Sequence, residues 1–187
     1  MGQATDEQTG NLGFGYLYYG LTRLYQPEVV VCIGSYRGFS PVCFAMSLAD
    51  NHKGFCYFID PGKVDNYWHK PSNITWLERT FGIHGWWQHI RKTSQQVINE
   101  GDIPHPIDIL FIDGDHSYEG VKFDFDHFGP QVRVGGLILL HDSTNVGRGF
   151  TKWEVKRFLE AEVYGDAAYQ PFVLPFAAGL TLVRKLK

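Results

Sequence analysis

The sequence predicts an α/β protein, a doubly wound and mostly parallel sheet of seven strands with an antiparallel strand at its C-terminal edge. Three observations predict it. Short apolar runs alternate with segments of helical spacing along the chain, the pattern of βαβ units. Two of these runs, Val29–Ile33 and Ile109–Ile112, are apolar at every position, as strands covered on both faces are. The last two runs, Phe172–Leu174 and Leu180–Val183, are closely spaced, which suits an antiparallel pair.

Taken in order, Leu17, Leu21, Leu24 and Tyr25 give Tyr16–Tyr25 helical spacing, and Pro27 stops it. Glu28–Ile33 is a buried strand and Gly34–Phe39 a tight loop. Ser40 and Pro41 then read as an N-cap and first-turn proline, ahead of an apolar face at Val42, Ala45, Met46 and Ala49. Phe55–Ile59 is a second strand, closing on Asp60-Pro-Gly62. Ser72–Phe81 reads as a helix capped by Ser72, Trp87–Arg91 as a third strand, and Ser94–Glu100 as a short helix ending before Gly101. Pro104 and Pro106 precede the strand Asp108–Ile112. Tyr118, Val121, Phe125 and Phe128 line a helix that Gly129-Pro130 stops. After the strand Leu137–Leu140, Ser143–Gly149 reads as a polar loop and Thr151–Glu162 as a helix. With no repeat, low-complexity tract or linker, residues 1–187 read as a single domain with an N-terminal helical segment over residues 1–26.

At 187 residues the chain suffices for one domain with a full core. Its 44% hydrophobic and 20% charged residues suit a globular protein, and a net charge of −3 gives no electrostatic reason to expect nucleic acid or an anionic membrane. Cys32, Cys43 and Cys56 are odd in number and form no CxxC pair, so they read as buried hydrophobes in a reducing compartment. The N-terminus is polar and no apolar run approaches transmembrane length, which leads to the expectation of a cytoplasmic protein. Aromatic residues make up 16%, and Trp68, Trp76, Trp86 and Trp87 crowd one segment with Tyr67 and Phe81. About half of these rings are expected in the core; the rest could wall an acceptor pocket.

Two strand ends concentrate chemistry. Ile109–Ile112 runs into Asp113-Gly-Asp-His116, and Gly135–Leu140 runs into His141-Asp142. Neighbouring strands lie about 4.8 Å apart, and open α/β sheets bind ligands at this edge. An acidic residue closing a buried strand is costly without a partner. Asp115 and Ser117 are equally good caps for the following helix, and Asp124 and Asp126 read as its solvated face. In a continuing strand His141 and Asp142 point to opposite faces, so both ligate one ion only if the chain has already turned. Gly34-Ser-Tyr-Arg-Gly38 joins a strand to a helix and lacks the GxGxxG spacing of dinucleotide sites. Asp60 ends the next strand, where a carboxylate can accept hydrogen bonds from both ribose hydroxyls of a nucleoside; alone, it is a turn former before Pro61-Gly62.

With these residues assembled, the chain resembles the class I S-adenosylmethionine-dependent methyltransferases, and within them small-molecule O-methyltransferases of the macrocin and cephalosporin-cluster type. The resemblance runs from about Leu24 to Phe158. It rests on Phe111-Ile-Asp-Gly-Asp-His-Ser-Tyr-Glu-Gly-Val121, on Gly135-Gly136 with His141-Asp142, on Val31-Cys-Ile-Gly-Ser-Tyr-Arg-Gly-Phe-Ser40, and on Thr93-Ser-Gln95. It implies a Rossmann-like fold and a cofactor loop of Gly34, Ser35, Tyr36, Gly38 and Ser40. It further implies ribose binding by Asp60, adenine contacts at Ser94 and Gln95, and Asp113 at the cofactor as well as the reaction. It implies a magnesium or manganese ion on Asp113, His141 and Asp142, with His116 as base. Two departures stand out. Cys32 occupies a position that is usually acidic, and His141 one that is usually a carboxylate, which suits manganese or iron better than magnesium. Relatives often carry further N-terminal elements over the acceptor; with about 25 residues before the first strand, the pocket is expected to be open or completed by a second subunit of a homodimer.

The resemblance implies methyl transfer to a hydroxyl of a sugar, a phenol or a natural product, without nucleic acid or membrane as partner. An NAD-dependent oxidoreductase would need GxGxxG and a Tyr/Lys relay. A metal-dependent hydrolase would leave the glycine loop and Asp60 unexplained. A non-catalytic cofactor-binding relative is the alternative from another class.

Overall fold

The structure, a computed structural model, describes residues 13–144 and 154–187. Residues 145–149 of the expected polar loop Ser143–Gly149, the start of the helix expected at Thr151–Glu162 and the first twelve residues lie outside them. In chain order the elements are α1 (Gly15–Tyr25), β1 (Val29–Ile33), α2 (Phe39–Asn51), β2 (Phe55–Ile59), α3 (Pro71–Phe81), β3 (Trp87–Ile90), α4 (Ser94–Glu100), β4 (Ile107–Ile112), α5 (Tyr118–Phe128), β5 (Val132–His141), α6 (Val155–Phe158), β6 (Tyr169–Leu174) and β7 (Leu180–Lys185). A single widened turn, Leu159–Val163, extends α6.

Seven strands form one sheet in the order β3-β2-β1-β4-β5-β7-β6. Pairings from β3 through β5 are parallel, and β7 runs antiparallel to both β5 and β6. The chain steps outward from β1 to β3, returns to β4 beside β1, then steps the other way. That reversal leaves a crevice beyond the carboxyl ends of β1 and β4, where the helices diverge to opposite faces.

Continuous apolar runs make sense because both faces are covered. Val31, Ile33, Leu110 and Ile112 face a core with Phe125, Phe128 and Phe158. Val30, Cys32, Ile109 and Phe111, one residue out of phase, face Tyr18, Phe44, Phe58 and Trp68. Among the described residues no helix is long and apolar enough to cross a membrane. Cys32 and Cys56 pack with their sulfurs 3.9 Å apart, and all three thiols are free.

Several boundaries differ from the sequence expectation. Helix α2 begins at Phe39, capped by Gly38 in the left-handed region at φ 92°, and the Ser40 hydroxyl is buried without a hydrogen-bond partner. Ser40 therefore sits within the first turn instead of capping it. Helix α3 starts at Pro71, because proline tolerates the first helical position, so Ser72 is likewise inside the helix. Strand β5 extends back to Val132 through Gly135 at φ 80°, with a register shift against β4 between Ile107 and Ile109. The irregular pairing there masks the strand in a periodicity reading. Of the crowded tryptophans, Trp68 and Trp87 are core residues around Phe58, and Trp76 is half exposed.

The crevice depends on Gly34. Its φ is 79°, and a Cβ there would lie 2.1 Å from the Asp113 carbonyl oxygen. The Asp113 amide donates to the Ile33 carbonyl at 2.8 Å, locking the two strand ends together. Glycine is thus demanded by the approach of β4's end to β1's. Gly34→Ala should reduce stability by about 2 kcal/mol or more, through strain and overpacking together. Urea unfolding reads this directly, and a parental midpoint would contradict so close a contact.

Candidate active site

A cavity of about 790 Å³ opens on the crevice, within the range of small-molecule and cofactor sites. Its wall comes from the segment after β1 (Gly34, Ser35, Tyr36), that after β2 (Asp60, Pro61, Lys63, Val64), that after β3 (Thr93, Ser94, Gln95), and that after β4 (Asp113 to His116). Asp142 after β5 and Gly120, Phe123 and Asp124 of α5 complete it. Gly38, Ser40 and His141 do not line the cavity. Gly38 lies at the α2 cap against Trp68, and Ser40 and His141 are buried behind the wall. None of the four clustered tryptophans lines it; its aromatic rings are Tyr36 and Phe123.

Asp60 fastens two loops. One carboxylate oxygen accepts from the Ser35 amide at 3.0 Å and the Ser35 hydroxyl at 2.8 Å, and the other from the Gly62 amide at 2.8 Å. A carboxylate offers about four acceptor positions. In this arrangement one remains, where the sequence reading counted on two. The Asp60 carbonyl lies 2.8 Å from Nε2 of His89, whose ring stacks on Phe58 at 4.6 Å. Burial lowers the His89 pKa, so a neutral imidazole donates this bond. The sequence reading passed over His89, since one histidine in a short strand carries no distinguishing pattern. At the next loop Thr93 caps α4 with a reciprocal box: its hydroxyl accepts from the Gln96 amide at 3.3 Å, and the Gln96 side chain accepts from the Thr93 amide at 2.9 Å. Ser94 and Gln95 are thereby fixed at the cavity.

The charged centre lies between β4 and β5. Asp142 has φ 56°, so the chain has already left the strand, and His141 and Asp142 face the same volume. Nδ1 of His141 is 3.3 Å from Asp113 and 3.2 Å from Asp142, while Nε2 of His116 is 3.2 Å from Asp113 and 3.4 Å from Asp142. Asp113, His141 and Asp142 each offer a ligand atom within 4.8 Å of the others. Burial opposes charge on His141, but the two carboxylates outweigh it and raise its pKa to about 10. Burial likewise works against ionised Asp113, and His116 and His141 overcome it, holding the carboxyl at about 2. For His116 burial is again outweighed by Asp113 and Asp142, so its pKa is raised. Both ring nitrogens of His141 are buried without a well-aligned hydrogen bond, so the imidazole is held by the two carboxylates and by the edge-on Phe14 ring, whose centroid is 5.9 Å away.

Asp124 corrects the sequence reading. Asp126 is exposed and paired with Lys122 at 3.0 Å, but Asp124 is 3% exposed and lines the cavity. It stands three residues after Val121 and four before Phe128, both buried, and that spacing was the available signal. Ser117, the other residue weighed as a cap, does cap α5, its hydroxyl accepting from the Gly120 amide at 3.1 Å.

Residues 31–143 match a family model described as a methyltransferase domain. An uncharacterized protein of Sinorhizobium fredii is 24% identical over 143 residues, 72% of this chain and 15% of that protein. An uncharacterized protein of Acanthamoeba polyphaga mimivirus is 44% identical over 66 residues, 33% of this chain and 30% of that protein. The chain thus spans less than a third of either curated relative. The O-methyltransferase from Streptomyces achromogenes involved in tomaymycin synthesis, solved in complex with SAM, superposes with a TM-score of 0.71 at 17% identity, over 99% of this chain and 82% of that one. This last likeness is one of fold.

Asp113→Ala should leave a buried imidazolium without its main counter-charge and cost about 3 kcal/mol or more in metal-free protein. Thermal unfolding at neutral pH measures it, and an unshifted melting temperature would mean that the cluster contributes no pairing energy.

Proposed function

The chain belongs to the methyltransferase-domain family, and from that premise we propose that it uses S-adenosylmethionine to methylate a hydroxyl of a small molecule, assisted by a divalent cation. The observation that carries the reading is one cavity joining the Gly34–Tyr36 turn and Asp60 to the Asp113, His116 and Asp142 cluster. Its volume, about 790 Å³, lies in the range of sites that hold a cofactor-sized ligand.

In this reading Gly34, Ser35 and Tyr36 hold the amino-acid end of the cofactor, and Asp60 takes one ribose hydroxyl on its remaining acceptor position. Ser94 and Gln95 meet the adenine. Gly38 and Ser40 contribute from behind, by setting the course of the loop and the start of α2. The cofactor supplies a methyl group on a sulfonium. Asp113 and Asp142 supply hard oxygens, and the otherwise unsatisfied imidazole of His141 supplies nitrogen. That donor set fits a divalent cation and suits manganese better than magnesium. Held by these residues, a cation would supply Lewis-acid activation of the acceptor hydroxyl. Because Asp113 and Asp142 raise the His116 pKa, a cation taking up their charge would favour its neutral form, and that imidazole, at the cavity wall, would receive the hydroxyl proton as the oxygen–carbon bond forms and the carbon–sulfur bond breaks.

The macrocin- and cephalosporin-type subgroup remains our preferred placement, with a sugar, phenol or natural-product hydroxyl as acceptor. The fold likeness to an enzyme of tomaymycin synthesis suits the last of these. We also read the chain as one domain of a cytoplasmic protein, working as a homodimer if a second subunit closes the acceptor side. A non-catalytic, cofactor-binding role is the second reading. It is favoured by Cys32, which is buried against Cys56 and offers nothing to a cofactor amino group.

Calorimetry should show S-adenosylhomocysteine binding in the micromolar range, and binding of NAD in its place would overturn the assignment. Asp142→Ala should abolish manganese-stimulated methyl transfer while leaving S-adenosylhomocysteine affinity nearly unchanged. Activity indifferent to a chelator would remove the cation from the mechanism.

A further inference from the structure

Among the described residues, Asp124 is a carboxyl in the interior with few polar partners. It occupies the second turn of α5, past the N-terminal turn where it could cap the helix, and it is 3% exposed. The Ser94 hydroxyl is near enough to favour its ionised form, yet a hydroxyl offers one proton to a group with about four acceptor positions. A buried carboxylate left so poorly satisfied is costly, and helix α5 would pack as well with an apolar residue there. Asp124 nonetheless lines the cavity beside Thr93, Ser94 and Gln95. One of its oxygens stands 3.4 Å from where a Cβ on Gly114 would be, which wedges the carboxyl between the segments after β3 and β4.

We propose that Asp124 is a specificity-determining residue of the cofactor cleft, its carboxylate accepting a hydrogen bond from the exocyclic amino group of the purine. The proposal rests on the cofactor reading above and adds to it the group that distinguishes adenine from purines lacking a 6-amino donor. Ser94 then has two tasks, lining the cleft and orienting the carboxylate. The chemistry fits the amino edge because an ionised carboxyl is acceptor-only, and a charged acceptor forms the stronger kind of hydrogen bond.

Electrostatics around the group give the interaction a pH dependence. Burial raises the Asp124 pKa to about 6, the Ser94 hydroxyl opposes the rise, Asp115 on the turn before α5 adds to it, and His127 on α5 opposes it. The carboxylate is therefore present above that value and lost as pH falls through it. Preference for the amino group should weaken in the same direction.

The test compares binding of S-adenosylhomocysteine with that of its 6-desamino purine analogue by calorimetry. The wild-type protein should prefer the amino compound by on the order of tenfold to a hundredfold at about pH 8, with a smaller preference at about pH 5. Asp124→Leu, similar in size without acceptors, should bind both compounds equally. Asp124→Asn keeps a carbonyl acceptor, so it should restore the preference and make it independent of pH. Equal binding of the two compounds by wild type, or an undiminished preference in Asp124→Leu, would overturn the role of Asp124 and leave the cofactor reading standing. Failure of wild type to bind either compound would overturn both. If Asp124→Leu does not fold, the wild-type pH series decides: a preference constant from about pH 8 to about pH 5 refutes the proposal.

Discussion

The contact between the ends of β1 and β4 is the constraint on which the site depends. At Gly34 the chain passes so near the Asp113 carbonyl that no side chain fits, and the Asp113 amide is bonded to the Ile33 carbonyl. Two buried parallel strands end at one level, and the residues that follow must diverge into a crevice. Ser35 and Asp60 then tie the first two loops together through the Asp60 carboxylate, while Asp113 stands at the crevice's other wall. Moving either strand end by one residue would reverse every side chain beyond it. The cavity and its chemistry would go with them.

The second feature is a concentration of charge where charge is expensive. His116 and His141 each lie within 3.4 Å of both Asp113 and Asp142, with little of any of these side chains exposed. Removing charged groups from water carries a penalty that mutual attraction repays only with good geometry. The His141 ring nitrogens lack aligned hydrogen bonds, so the geometry here is not tuned for stability alone. An arrangement in which opposite charges hold one another in place, with ligand atoms convergent, is the kind expected of a reactive centre. Asp124 illustrates the same economy on a smaller scale, a carboxyl kept in the interior with a single hydroxyl beside it.

Much of this was readable in advance, for identifiable reasons. The helix at Ser94–Glu100 agrees with the expectation residue for residue, and the face of Tyr118, Val121, Phe125 and Phe128 falls on α5, which ends at Gly129 as expected, because apolar spacing and glycine boundaries act locally. Strand β5 was read at about half its length, since Gly135 and the register shift break its pattern. Helix α2 starts two residues earlier than the Ser40 cap that the sequence suggests would allow, because a left-handed glycine cap at Gly38 competes with serine and tertiary packing favours the glycine. Asp124 was assigned to solvent, since its polarity outweighed its position on the apolar face. The clustered tryptophans were partly offered to the acceptor pocket, yet they serve the core and surface around β2 and β3 instead.

The sequence by itself determined the class of fold, the succession of elements and the strand ends at which acidic and histidine residues gather. Those follow from periodicity and from the cost of burying polar groups, which operate over a few residues at a time. Only the tertiary structure decided that Asp142 turns to share a volume with His141, that Asp60 spends most of its acceptor capacity on Ser35 and Gly62, and that Asp124 faces inward at Ser94. Each of these depends on segments distant in the chain arriving at the same place, and no local pattern carries the relative placement of two loops.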